Sequence, residues 1–154
     1  MKSDFGGTFP PPPIPPTKTT QHPPTPLPPY NHTKPAVNQY AGHDNVHHDN
    51  IYAFVGAGFS ICAQNKGHMD SFYNNHVIQD RDGNYGNGAA CKSSASVDAT
   101  IVHDNHIYTP TGHVTECGMD LAAWQAQGGD PGTTAAVTPD DATLLALARA
   151  ALGM

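Results

Sequence analysis

From His43 to Cys117 the apolar residues fall in short runs, closed off by turn residues, with no helical spacing. Asn45-Val46-His47-His48, Ile51-Tyr52-Ala53 and Phe59-Ser60-Ile61-Cys62 read as short strands, with a tight turn at Asp49-Asn50 and a bend at Gly56-Ala57-Gly58. The same order then returns twice. Ser71-Phe72-Tyr73, the turn Asn74-Asn75, His76-Val77-Ile78, a glycine-rich loop over 80–88 and Ala89-Ala90-Cys91 make the second round. Thr100-Ile101-Val102, the turn Asp104-Asn105, His106-Ile107-Tyr108, the bend Pro110-Thr111-Gly112 and Val114-Thr115-Glu116-Cys117 make the third. Two markers keep one register. Asn50, Asn75 and Asn105 lie 25 and 30 positions apart, and Cys62, Cys91 and Cys117 follow them by 12, 16 and 12. Such a period predicts an all-β parallel solenoid of three coils, with insertions at the bends.

The two ends read differently. Residues 120–127 predict a short helix capped by Asp120 and ended by Gly128, with Leu121 and Trp124 on one face. Thr138-Pro139-Asp140-Asp141 opens a second helix, in which Leu144, Leu147, Ala148 and Ala151 keep helical spacing. Upstream, the prolines from Phe9 to Pro35 predict an extended, disordered stalk or linker. Thr17, Thr19, Thr20 and Thr25 among those prolines suit O-glycosylation, and Asn31-His32-Thr33 is an N-glycosylation acceptor. The expected division is 1–41 stalk, 42–118 coils and 119–154 cap.

Composition removes several function classes. Seven Lys and Arg, scattered singly in a chain of net charge −6, make no basic footprint for nucleic acid or an anionic membrane. No run of eighteen apolar residues is present, so no membrane span is expected. Met1-Lys2-Ser3-Asp4 does not lead into the apolar run of a secretory signal, and Met1 is therefore expected not to be the natural start. With its glycosylation pattern, the stalk points to an extracellular or cell-surface location. Ten histidines are the compositional oddity.

Residues at equivalent places in neighbouring coils stack about 4.8 Å apart. Asn50, Asn75 and Asn105 should then form a structural ladder, side chain to backbone, along the stack. Trp124 is expected to be structural as well. The same spacing admits a Cys62–Cys91 or a Cys91–Cys117 disulfide, or a ladder of free thiols. No C-x-x-C pairing accompanies these cysteines, so zinc is not expected there.

His48, Tyr73 and His103 occupy related places before the turns, and His76 and His106 follow them, so imidazoles should line an outer face. His48, Tyr52, Tyr73, His103 and Tyr108 are the candidate saccharide contacts. His76, His106 and Arg81 are the candidates for acid/base and cation roles, because a uronate lyase needs a base and a positive charge on the carboxylate. Asp49, Asp104, Asp80 and Asp82 are the candidate metal carboxylates. Residues 80–84 resemble a calcium loop but lack the closing Glu, so no cofactor is expected, with calcium the one candidate ion.

The closing phrase adds a family likeness. Asn105-His106-Ile107-Tyr108, Pro110, Gly112, Cys117-Gly118-Met119-Asp120-Leu121, Trp124-Gln125, Gly128, Asp130 and Gly132-Thr133-Thr134 resemble the C-terminal end of right-handed parallel β-helix proteins of the pectin lyase-like superfamily. The likeness covers residues 43–134. It implies a right-handed β-helix with short C-terminal helices, and polysaccharide as the partner. Those proteins usually continue into a further strand, where this chain is expected to pass into its Leu/Ala helix. The resulting expectation is an extracellular β-helix module that contacts polysaccharide without turning it over. The alternatives are the C-terminal part of a polysaccharide lyase, epimerase or glycoside hydrolase, and a fibre-forming solenoid that self-stacks through its uncovered first coil.

Overall fold

The computed structural model describes residues 34–40, 42–62, 67–88, 91 and 100–154. The proline-rich stretch up to residue 33 with its sequon, and Lys66, Ala89, Ala90 and Lys92, lie outside the described residues.

The chain lays down strands in rotation. After β1 (Pro35–Gln39), one round consists of β2 (Val46–His48), β3 (Ile51–Val55) and β4 (Ala57–Ile61). The next is β5 (Ser71–Tyr73), β6 (His76–Gln79) and β7 (Gly83–Gly88), and the third is β8 (Ile101–His103), β9 (His106–Thr109) and β10 (Val114–Glu116). Then come β11 (Met119–Asp120), helix α1 (Leu121–Gln125), β12 (Thr134–Val137) and helix α2 (Asp141–Ala151). Each round gives one strand to each of three sheets, ordered β2-β5-β8, β12-β9-β6-β3 and β1-β4-β7-β10-β11. Among the described residues all pairings are parallel except that of β11, which turns back on β10. This build is compatible with a β-solenoid.

Period two decides what faces inward. In the first sheet His47, Phe72 and Val102 share one register position, and His48, Tyr73 and His103 share the next. Phe72 is wholly buried, tilted against Phe59 at 5.0 Å and stacked near Tyr52 at 5.9 Å, while Phe59 meets Tyr85 edge-on at 5.2 Å. Ile61, Val77, Ile107 and Val114 complete the interior.

Four elements differ from expectation. The glycine-rich stretch 83–88 is a strand rather than a loop, and Ala57-Gly58 opens β4 rather than completing a bend. Here glycine makes room for rings: a Cβ on Gly86 would sit 2.3 Å from the Phe59 ring, and one on Gly58 2.5 Å from that of Tyr85. Sheet structure also begins inside the stretch read as stalk, since β1 pairs with β4 from Pro35; proline suits this outermost, singly paired strand. Finally, β12 adds a fourth strand against β9 before α2, so the chain does continue past the cap into a further strand.

The closing phrase supplies the joints. Gln125 Nε2 donates to the carbonyls of Asp130 (3.0 Å) and Thr133 (2.7 Å), and the Trp124 indole lies where a Cβ on Gly129 would be. Helix α2 is capped by Asp140, whose carboxylate accepts from the Thr143 N–H at 2.8 Å, and none of its residues is buried. A disulfide joins Cys91 to Cys117, leaving Cys62 free.

Candidate functional site

Two kinds of stack run up one corner. At each turn the residue before the ladder Asn takes a left-handed conformation, with φ of 55° at Asp49, 52° at Asn74 and 54° at Asp104. Asn and Asp tolerate that region better than other side chains, which accounts for the repeated phrase. The following Asn then points inward. Asn75 Oδ1 accepts from the Asn50 N–H and Nδ2, both at 3.1 Å, and Asn105 Oδ1 accepts from the Asn75 N–H (3.0 Å) and Nδ2 (3.1 Å). Thr133 ends the series, its Oγ1 accepting from the Asn105 N–H at 2.9 Å and donating to Asp130. Asn75 and Asn105 are fully buried.

The residues just before these turns face outward and form the candidate site. His48, Tyr73 and His103 stack as a column, with ring centroids 5.2 and 4.8 Å apart and planes within 8° and 3°. Each flanking histidine is tied to its own turn carboxylate, His48 Nδ1 to Asp49 at 2.5 Å and His103 Nδ1 to Asp104 at 2.7 Å. Asn74 Nδ2 also donates to Asp49, and these two bonds hold the Asp49 carboxyl below its usual range. Across the turn a second column forms, with His76 and His106 4.9 Å apart and Tyr108 parallel to His76 at 6.0 Å. Burial, and then the charge of His106, lower the pKa of His76. Tyr73, Asn74, Asp104, His106 and Gly132 line an open concavity of about 480 Å³ between the columns.

The candidates therefore separate. His48, Tyr73 and His103 come together, with His106 beside them; Tyr108 belongs to the second column. Tyr52 is half-buried and packs inward on Phe72 and the core. Because Tyr73 is sandwiched, its faces are covered, and the column offers ring edges, a hydroxyl and carboxylates rather than open faces. Arg81 Nε and Nη2 lie 2.8 and 3.2 Å from the two oxygens of Asp80 on the bend after β6. Asp82 is a staple between rounds, accepting from the Thr111 N–H (2.9 Å) and Oγ1 (2.8 Å), which lower its pKa. Asp80 and Asp82 thus have separate partners, and neither lines the concavity.

No protein-family model, curated protein or solved structure matches the chain.

Two features escaped sequence reasoning. Five residues before the main ladder runs a second one, in which Asn45 N–H (2.8 Å) and Nδ2 (3.1 Å) donate to the buried Asp70 carboxylate. The signal was present: Asn45, Asp70 and Thr100 keep the intervals of Asn50, Asn75 and Asn105. The other is a histidine pair, His43 and His68, meeting at Asp44. It was legible too, since His43-Asp44-Asn45 is the same tripeptide as His48-Asp49-Asn50 and His103-Asp104-Asn105.

Proposed function

We propose that the chain is a binding module for extracellular polysaccharide, related in build to right-handed, pectin lyase-like β-helices, and that it holds its ligand without turnover. The observation behind this is the outward column His48–Tyr73–His103, one polar rung per round, bordering the concavity. A rung every 4.8–5.2 Å is close to the advance of one sugar ring along an extended glycan, so successive rings can meet equivalent hydrogen-bonding edges. Imidazole, phenol and carboxylate edges donate and accept in the directions sugar hydroxyls require. The described residues lining the concavity include no Lys or Arg to neutralise a uronate carboxylate, and Arg81 is turned to Asp80. That favours binding over lyase chemistry.

A polysaccharide panel tests the proposal, read for binding and for release of unsaturated uronate products, with and without calcium. Binding without product, weakened at least tenfold by Tyr73→Ala, is expected. Product growth abolished by His106→Ala or Arg81→Ala would replace the module with part of a lyase or epimerase.

A second reading, head-to-tail self-stacking, draws on the edges of one sheet. Strands β3 and β12 end the order β12-β9-β6-β3, and Phe54 beside one edge and Val137 on the other are more than half exposed. The β12 edge of one copy can extend the β3 edge of the next. Light scattering that stays monomeric at high concentration would remove this reading.

A further inference from the structure

We propose that His43, Asp44 and His68 form a site for one divalent transition-metal ion of the zinc, nickel or copper class, separate from the saccharide face. The backbone builds it. Asn45 is tied to Asp70 through two hydrogen bonds, and the Ser71 N–H donates to the Asn45 carbonyl at 2.8 Å. Counting back two residues on each strand places His43 over His68, and their ring centroids lie 3.8 Å apart. Asp44, at φ 58°, turns its carboxylate across both rings. The Met69 N–H donates to Oδ1 at 3.3 Å, while Oδ2 lies 2.8 Å from His43 Nδ1 and 2.6 Å from His68 Nδ1. The three ligand atoms all lie within 4.8 Å of one another.

The other copies of the tripeptide show what is particular here. Asp49 meets one imidazole and the Asn74 amide, and Asp104 meets one imidazole with Gly132 packed against it. Among the described residues, only the copy at 43–45 brings two imidazole nitrogens and a carboxylate to one point. Two nitrogens and one oxygen suit zinc, nickel or copper, whereas calcium and magnesium prefer oxygen sets. Metal–ligand bonds of about 2.0–2.2 Å require the three atoms to spread by roughly half an ångström, which exposed side chains can do. On binding, each imidazole presents a bare Nδ1 and keeps its proton on Nε2. Exposure of His43 and Asp44 leaves the remaining coordination positions to water.

The test is calorimetric titration of the full chain with Zn²⁺ alone in a non-chelating buffer. One ion per chain is expected, with affinity reduced at least tenfold in both Asp44→Asn and His68→Gln, unchanged in His113→Ala and unchanged by an equal concentration of Ca²⁺. No saturable binding, several equivalent weak sites, or undiminished affinity in either site variant would overturn the proposal. Should a variant melt differently without metal, imidazole nitrogen resonances in the unaltered chain decide. Zn²⁺ must shift Nδ1 of two histidines together, and failure to shift them would overturn the site.

Discussion

Phe72 and Tyr73 are neighbours on one three-residue strand, yet they belong to different chemistry. Phe72 is sealed among Phe59, Tyr85 and Tyr52, whereas Tyr73 stands between two half-exposed histidines beside the concavity. The carboxylates divide in the same way. On the outside, bonds to His43 and His68 draw Asp44 down to about 2. On the inside, burial and the nearby Asp130 push Glu116 up to about 9, and burial raises Asp130. Parallel stacking repeats whatever side chain it is given. Burial then decides whether a stack holds the fold or remains available to a ligand.

The largest loss of stability should come from emptying the inner side. Phe72→Ala should cost about 4 kcal/mol, because the surrounding rings cannot collapse onto the space. In thermal melts that corresponds to roughly 10 °C or more for a chain of this size.

A cut in the ladder should come next. Asn75→Ala leaves the Asn50 N–H and the His47 carbonyl without their side-chain partner, a loss of about 3 kcal/mol. Asn75→Asp should also destabilise, because it loses the amide that donates to the His47 carbonyl and to Asn105.

Glu116 makes the stability of the buried side depend on pH. Its pKa rises on folding from the ordinary 4.5, so the native state holds its proton more tightly than the unfolded chain does. Its contribution is fully present below about 4.5 and is lost as pH rises toward about 9, at up to roughly 1.4 kcal/mol per pH unit. Melts between pH 7 and 9 should therefore fall in the wild type and flatten in Glu116→Gln. Asp44 works in the opposite sense: its contribution is present above the ordinary 3.8 and is lost as pH falls toward 2.

The smallest effect on stability belongs to the outer column. Tyr73→Ala should change the fold by less than about 1 kcal/mol, since a partly exposed ring is removed without opening the core. Its large effect should be on binding.

Much of this architecture was legible because backbone geometry sets the two residues at each turn of the repeated phrase. The left-handed turn selects Asp or Asn, and the ladder selects Asn, so the intervals show through unrelated strand residues. What was hidden depended on partners distant in sequence. Gly58 and Gly86 look like loop residues until Tyr85 and Phe59 are known to lie over them. Nothing in the sequence separated Cys62–Cys91 from Cys91–Cys117, because both satisfy the stack spacing. Tyr52 and Tyr73 read as equivalent aromatic strand residues, and only the register shows one facing the core and the other facing out. His43-Asp44-Asn45 shows as a copy of the repeated tripeptide, but its pairing with His68 does not, because His68 lies outside the phrase.

Under the proposed function, the outer column binds glycan while the inner stack only supports it. Polysaccharide titrations of the wild type, Tyr73→Ala and Asn75→Ala, each paired with a melting curve, test it most directly. Tyr73→Ala should lose at least tenfold in affinity with its melting temperature lowered by no more than about 5 °C, and Asn75→Ala should melt early but bind normally at temperatures where it is folded. A Tyr73→Ala chain that binds as the wild type does would contradict the account.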